Sequence, residues 1–238
     1  MVRKSYRNKG SKENIVISIS GAHGVGKSTI FRLLKKEVGD NNKFKFFPER
    51  YIKNPPFPFG SRNKETAFRS ELHFLQQLIK RNKSVRNYDN RYNGRIIILD
   101  RTPLCVLTYS KALFLKEKDY QLIQKHYNSI KWREDYILYL TAKPETILQR
   151  IYERGSLDAI RREWNEQDND YLSNVLYFYE EMFDAYNINE KVFRVNTDNL
   201  EPHQVLEEAK TIIEDLSEYS FTQHLKPAPK QMRIDRFT

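Results

Sequence analysis

Cysteine is all but missing: Cys105 stands alone in 238 residues. That excludes an intramolecular disulfide and a zinc cluster built from several thiolates, and it favours a reducing compartment. Long apolar runs are missing too. No stretch approaches the roughly 20 residues a bilayer span needs, so a membrane-spanning role is excluded. The N-terminus is basic, but no apolar segment follows it, which argues against a secretory signal. A cytoplasmic location is the expectation from these absences. Acids are missing from the first twelve positions, where Arg3, Lys4, Arg7, Lys9 and Lys12 give +5, while residues 221–238 hold Lys226, Lys230, Arg233 and Arg236 against Asp235, giving +3. Of the net +10, only +2 is left for the 208 residues between. The chain therefore reads as a basic disordered arm over 1–13, one domain over 14–219 and a basic tail over 220–238. On charge grounds the body is not a nucleic-acid surface. A content of 39% hydrophobic and 13% aromatic residues suits a globular domain.

What is present centres on Gly21-Ala22-His23-Gly24-Val25-Gly26-Lys27-Ser28, which fits the spacing G-x-x-x-x-G-K-[ST] of a phosphate-binding loop. Ile15 to Ile19 is a β-branched run that reads as a strand, and Ile30, Phe31, Leu33 and Leu34 give a helical pattern after it. Strand, glycine loop and helix are what the chemistry needs. The helix start contributes unpaired N–H groups and a positive dipole end, and the glycines let the backbone approach an anion closely. Gly21 to Ser28, with Thr29, are the candidate nucleotide-binding residues.

Further strands are expected at 43–47, 95–100, 136–140 and 192–195. Helices are expected at 64–86, 103–116, 119–130, 144–153, 165–186 and 201–219. Residues 53–63, with three prolines and a glycine, must be a loop. Strands alternating with helices of this length predict a three-layer α/β domain, a five-stranded parallel sheet with helices on both faces.

Around the loop the spacing suggests roles. Lys27 would reach the β- and γ-phosphates, and Ser28 would place its hydroxyl on Mg²⁺. Asp100 ends a buried strand, where a carboxylate can hold the metal or its waters; a structural ion pair with Arg101 is the competing reading. No Glu follows Asp100, whereas motor ATPases place a water-activating Glu there, so transfer to another acceptor is favoured over hydrolysis. Glu49 ends the second strand and is a candidate general base, against a surface pairing with Arg50. Arg101 is a candidate clamp. Arg150, Arg154, Arg161 and Arg162 place four arginines within 13 residues, which predicts an arginine-rich lid over about 150–164. His73, His126, His203 and His224 show no metal spacing.

Together these residues resemble the nucleoside and nucleotide kinases of the P-loop class, in particular the thymidylate kinase and deoxynucleoside kinase branch. The likeness spans roughly 14–215. It rests on Gly21–Ser28, on Glu49, on Asp100-Arg101-Thr102, and on Arg150-Ile-Tyr-Glu-Arg-Gly with Tyr171-Leu172 and Tyr179-Glu180. The Ala-His wording of the loop, and Asp100-Arg-Thr-Pro-Leu with Tyr109, are also similar to nicotinamide riboside kinase domains. The resemblance implies an acceptor pocket walled by 53–63 and 64–86, adenine near Asn196-Thr197-Asp198, and a homodimer. It also makes Arg69, Gln76 and Arg81 candidates for reading the acceptor. Two departures stand out: Pro48 precedes Glu49 instead of following it, and Gln76 has Lys83 rather than Arg seven residues on.

The reading that follows is an ATP- and Mg²⁺-dependent phosphotransferase acting on a nucleoside or nucleoside monophosphate, with a thymidylate or deoxynucleoside kinase foremost. Lys27, Glu49, Arg101, Arg150 and Arg154 are its candidate catalytic residues. Glu49, Arg69, Gln76, Arg81, Arg101 and Arg161 are the acceptor residues, and Ser28 and Asp100 the metal ligands. Two alternatives stay open: a kinase for another small acceptor or a nucleic-acid end, which the basic tails would suit, and a regulatory ATP-binding module without catalysis.

Overall fold

The computed structural model describes residues 13–49, 56–155, 166–217 and 219–221. Five short runs rich in Ile, Val, Leu and Phe form one all-parallel sheet: β1 (Ile15–Ser20), β2 (Phe44–Phe47), β3 (Ile96–Asp100), β4 (Tyr136–Thr141) and β5 (Val192–Asn196), in the order β2-β3-β1-β4-β5. β1 lies in the middle, with β3 on one side and β4 on the other. The chain winds to the β2 edge first and crosses to the β4 side after β3. Such a change of direction opens a crevice beyond the carboxyl ends of the strands. Register places Ile19 beside Asp100, so the segments leaving β1 and β3 emerge side by side. That juxtaposition positions the site.

Residues on successive strand positions point to opposite faces. Ile17, Ile19, Ile96 and Ile98 join the main core, whereas Val16, Ile97 and Leu99 form a second cluster with Val85 under Phe47 and Tyr88. Burial on both faces explains why these strands are continuous apolar runs instead of alternating ones. Among the described residues the helices covering the sheet are α1 (Lys27–Val38), α2 (Lys64–Asp89), α3 (Cys105–Ala112), α4 (Glu117–Asn128), α5 (Pro144–Glu153), α6 (Asn169–Ala185) and α7 (Pro202–Ser217). α1 packs on α7, and α3 packs on α2, α4 and α6. Tyr139, Tyr179 and Phe183 are among the largest fully buried side chains, each contributing about 1.5–3 kcal/mol of apolar burial.

Local chemistry sets the helix ends. Asn63 caps α2, its Oδ1 accepting from the backbone N–H groups of Glu65 and Thr66 at 3.0 and 3.1 Å. Asp168 caps α6 by accepting from Tyr171 N–H at 3.0 Å, so this helix starts at Asn169 and not at 165. The helix expected over 103–116 is shorter, because Phe114 adopts a left-handed φ of 47° and breaks the run before α4. Most of the expected arm, tail and lid, including Arg161 and Arg162, lies outside the described residues. Among the described residues no helix is long and apolar enough to cross a membrane.

Candidate active site

The cleft above β1 and β3 has a volume of about 560 Å³. Its phosphate end is built by the loop between β1 and α1. Gly21, Gly24 and Gly26 all take positive φ. A Cβ on Gly21 would lie 2.2 Å from the Leu140 carbonyl oxygen, and one on Gly24 would lie 2.7 Å from Ile147 Cγ2. Gly26 is the N-cap of α1 and provides no side-chain cap, which leaves the helix start open to an anion. His23, Gly24, Gly26, Lys27, Ser28 and Thr29 line the cleft. Ala22 and Val25 are buried in the core and Gly21 packs against β4, so these three shape the loop without facing the cleft. Arg32, which the sequence reading passed over, lines the mouth and donates to the Ser28 carbonyl at 3.0 Å.

Lys27 is 5% exposed, and its ammonium donates to the Ala22 carbonyl at 2.6 Å. Burial, then the positive charge of Arg101, lowers its pKa to about 7, while Asp100 and Glu49 pull the other way. His23 stacks on Tyr171 with ring centroids 5.5 Å apart, and its backbone N–H donates to the Tyr109 hydroxyl at 3.0 Å. Burial, followed by Lys27 and Arg101, lowers the imidazole pKa to about 3. The ring is therefore neutral at physiological pH and cannot act as a phosphate-binding cation.

The other end of the cleft draws on separate segments. Glu49 follows β2 and Arg101 follows β3, and Arg101 Nε donates to Glu49 Oε2 at 2.8 Å. The Arg101 guanidinium also sits 5.7 Å over the Phe74 ring. Asp100 is buried at the end of β3, and its Oδ1 has no hydrogen-bond partner among the described residues. Burial raises the Asp100 pKa, with Arg101 and Lys27 opposing. Phe59 and Phe74 meet edge to face at 6.0 Å on the opposite wall. Glu71 of α2 is 4% exposed yet lines the cleft. Burial raises its pKa to about 8 against the pull of Arg101, which favours the neutral carboxylic acid at pH 7. Tyr171 and Glu166 complete this end.

The structure places several of the candidate residues away from the cleft. Arg69 lies on the solvent side of α2, paired with Glu65 one turn earlier, and Gln76 is exposed on the same helix. At 100° per residue they stand about 160° and 140° round from Glu71, and neither lines the cleft. Arg81 is buried beneath the floor, donating to the carbonyls of Asp100 and Arg101. Arg150 is turned to the end of β5, donating to Thr197 Oγ1 at 2.8 Å and to its carbonyl at 2.5 Å. Arg154 does line the cleft and reaches the Gly24 carbonyl at 3.3 Å. Glu71 was legible in principle: with Ala67, Leu75 and Leu78 it keeps the buried period of α2, an acid on an apolar stripe.

Comparison with known proteins agrees with this geometry. Deoxyguanosine kinase of Lactobacillus johnsonii is 27% identical over 195 residues, covering 74% of this chain and 80% of that protein. Deoxyadenosine/deoxycytidine kinase of Bacillus subtilis is 25% identical over 168 residues, covering 67% and 76%. The structure of deoxyadenosine kinase from M. mycoides with bound dATP superposes with a TM-score of 0.65 at 26% identity, covering 85% of this chain and 99% of that one. The family model for deoxynucleoside kinase matches residues 17–221, and with that match over a cleft built as a phosphate loop facing a carboxylate–arginine pair, the chain belongs to the deoxynucleoside kinase family of ATP-dependent phosphotransferases.

Proposed function

We propose that this protein transfers the γ-phosphoryl group of ATP to the 5′-hydroxyl of a deoxynucleoside, with Mg²⁺ as cofactor. The observation that carries the choice of a nucleoside over a monophosphate is the charge of the acceptor end. An acceptor phosphate calls for cations there. Of the candidates, Arg69 faces solvent, Arg81 lies under the floor and Arg161 lies outside the described residues, while Arg101, which does line this end, is already paired with the Glu49 carboxylate.

The 5′-oxygen attacks the γ-phosphorus as the bond from that phosphorus to the β–γ bridging oxygen breaks, and ADP leaves. Glu49 accepts the hydroxyl proton, oriented by its bond from Arg101. Lys27 and the open start of α1 hold the phosphates, and Arg101 and Arg154 offset the charge that develops on the moving group. The residues fit a metal: Asp100 Oδ1 is a buried oxygen without a partner among the described residues, and the Ser28 hydroxyl is exposed at the cleft. No cluster of three or more His, Cys, Asp or Glu exists among the described residues, which suits an ion held mainly by phosphate oxygens and water. Bound there, Mg²⁺ would neutralise charge on the β- and γ-phosphate oxygens.

Phe74 offers a flat apolar wall to the base, and the neutral Glu71 carboxyl offers one donor and one acceptor. Every base presents a complementary pair, thymine through N3–H and O4, so this contact holds a base without choosing among them, and the expected preference for adenine, cytosine or guanine follows the bases named for the sequence relatives. A cytoplasmic setting goes with this reading, since the one cysteine is a buried free thiol. The test is coupled ADP release with ATP over a panel of deoxynucleosides and their monophosphates. Turnover is expected with deoxyadenosine, deoxyguanosine or deoxycytidine and not with the monophosphates. ATP binding without turnover of any nucleoside would sink the proposal.

A further inference from the structure

Arg101 is one of three described non-glycine residues with a positive φ, at 72°, and of these it alone lines the cleft. L-residues resist this conformation, so something must hold it. Three anchors do. The Arg101 N–H donates to the Ile19 carbonyl at 2.9 Å, tying the corner to β1. Thr102 Oγ1 donates to Glu134 Oε2 at 2.9 Å, while the other oxygen of that carboxyl accepts from the Ser18 hydroxyl. From beneath, Arg81 donates from Nη1 to the Asp100 carbonyl and from Nη2 to the Arg101 carbonyl, the latter at 2.8 Å.

Arg81 is 4% exposed. A cation that deep usually meets a carboxylate in a two-pronged pair. Here both prongs go to consecutive main-chain carbonyls, with Glu134 nearby as counter-charge. A planar fork fixes the relative orientation of the two carbonyls it bridges, which a lysine ammonium cannot do. The two side chains on that corner lie toward different ends of the cleft: Asp100 stands in register beside Ile19, where β1 leads into the phosphate loop, and Arg101 binds Glu49.

We propose that Arg81 is a positioning residue for phosphoryl transfer, its fork fixing the left-handed corner that aims Asp100 at the phosphate end and Arg101 at Glu49. The inference rests on the nucleoside kinase reading above. It is tested in the full chain with Arg81→Lys, which keeps the charge and loses the fork. Expected are a kcat lower by about 100-fold, the cost of a misplaced reacting group, and a Kd for metal-free ATP within about twofold of wild type, since the phosphate loop is untouched. Hydrogen exchange should speed up at the Arg101 amide, with the β1 and α1 amides unchanged. A merely structural arginine would lower the melting temperature and leave kcat per folded molecule alone. A folded Arg81→Lys with wild-type kcat overturns the proposal, whereas a wild type that turns over no nucleoside overturns the functional reading instead. Should Arg81→Lys not fold, Thr102→Val loosens the same corner without removing a charge. It should lower kcat about fivefold, one hydrogen bond's worth, at unchanged affinity for metal-free ATP; full kcat there also overturns the proposal.

Discussion

At one end of the cleft, a continuous stretch from Gly21 to Thr29 makes an anion site from main-chain N–H groups, one lysine and a helix start. At the other end, Glu49, Glu71, Phe74, Arg101 and Tyr171 arrive from the end of β2, from α2, from the end of β3 and from α6. The first end reads a group common to all nucleoside triphosphates, so backbone geometry is enough. On the function proposed above, the second would choose one acceptor and take its proton, which needs side chains from several directions held at fixed separations. A contiguous loop tolerates change in its surroundings, whereas an assembled site depends on every element that delivers a residue to it.

That contrast can be broken at either end. Glu49→Gln should have the largest effect, lowering kcat about 10²–10⁴-fold, the usual worth of a general base, while ATP affinity is retained; a loss of ATP binding equal to the loss of kcat would place Glu49 at the wrong end. Lys27→Met should lower kcat about 100- to 1,000-fold and weaken ATP binding as well, both readable by coupled ADP release and titration with a non-hydrolysable ATP analogue. Gly24→Ala tests the loop as pure backbone. Its Cβ would lie 2.7 Å from Ile147 Cγ2 at a φ of 81°, so a loss of about 1–3 kcal/mol is expected in denaturant titration.

The next test uses protons. Lys27 has its pKa lowered to about 7, first by burial and then by Arg101. A lysine depressed in the folded state favours its neutral form. Its contribution to stability is complete above the unfolded pKa of 10.5 and is lost as pH falls through about 7. A bound triphosphate reverses the preference by pairing with the charged form. Calorimetry in buffers of differing ionisation enthalpy should therefore show uptake of about one proton per nucleotide near pH 8.5 and almost none near pH 6. The smallest effect sharpens the acceptor end: Arg69→Ala and Gln76→Ala, both on the solvent side of α2, should leave kcat/KM for the acceptor within about twofold.

How much of this was legible differs between the two ends for the same reason. The order of strands and helices, the parallel sheet and the phosphate loop all follow from local pattern, and helix limits missed by a few residues trace to Asp168 as a cap and to the left-handed Phe114. Asp100, Glu49 and Arg101 stand out because each closes or follows a strand, and Lys27 because it belongs to the phosphate-loop spacing; Lys27, Glu49 and Arg101 line one cleft, with Asp100 buried at the end of β3. Arg69, Gln76 and Arg81 are candidates on α2 through the family resemblance, and the face each occupies depends on how the helix rolls against the sheet. Arg150 was assigned by its neighbours in sequence, yet its partner is Thr197, 47 residues away. Glu71 was passed over as one of the polar residues between apolar ones, although its period is that of the buried face.

Local pattern is enough to set a strand, a glycine loop and a helix start around Gly21–Thr29, because that arrangement forms from short-range geometry alone. What stands opposite the loop is set by long-range packing. The register of β1 against β3 put Asp100 and Arg101 beside the loop, and the packing of α2 turned Glu71 into the cleft, Arg69 and Gln76 out of it, and Arg81 beneath its floor. The physical reason is that a helix carries its residues round a full circle every 3.6 positions, and only the surface it packs against selects which of them meet the substrate.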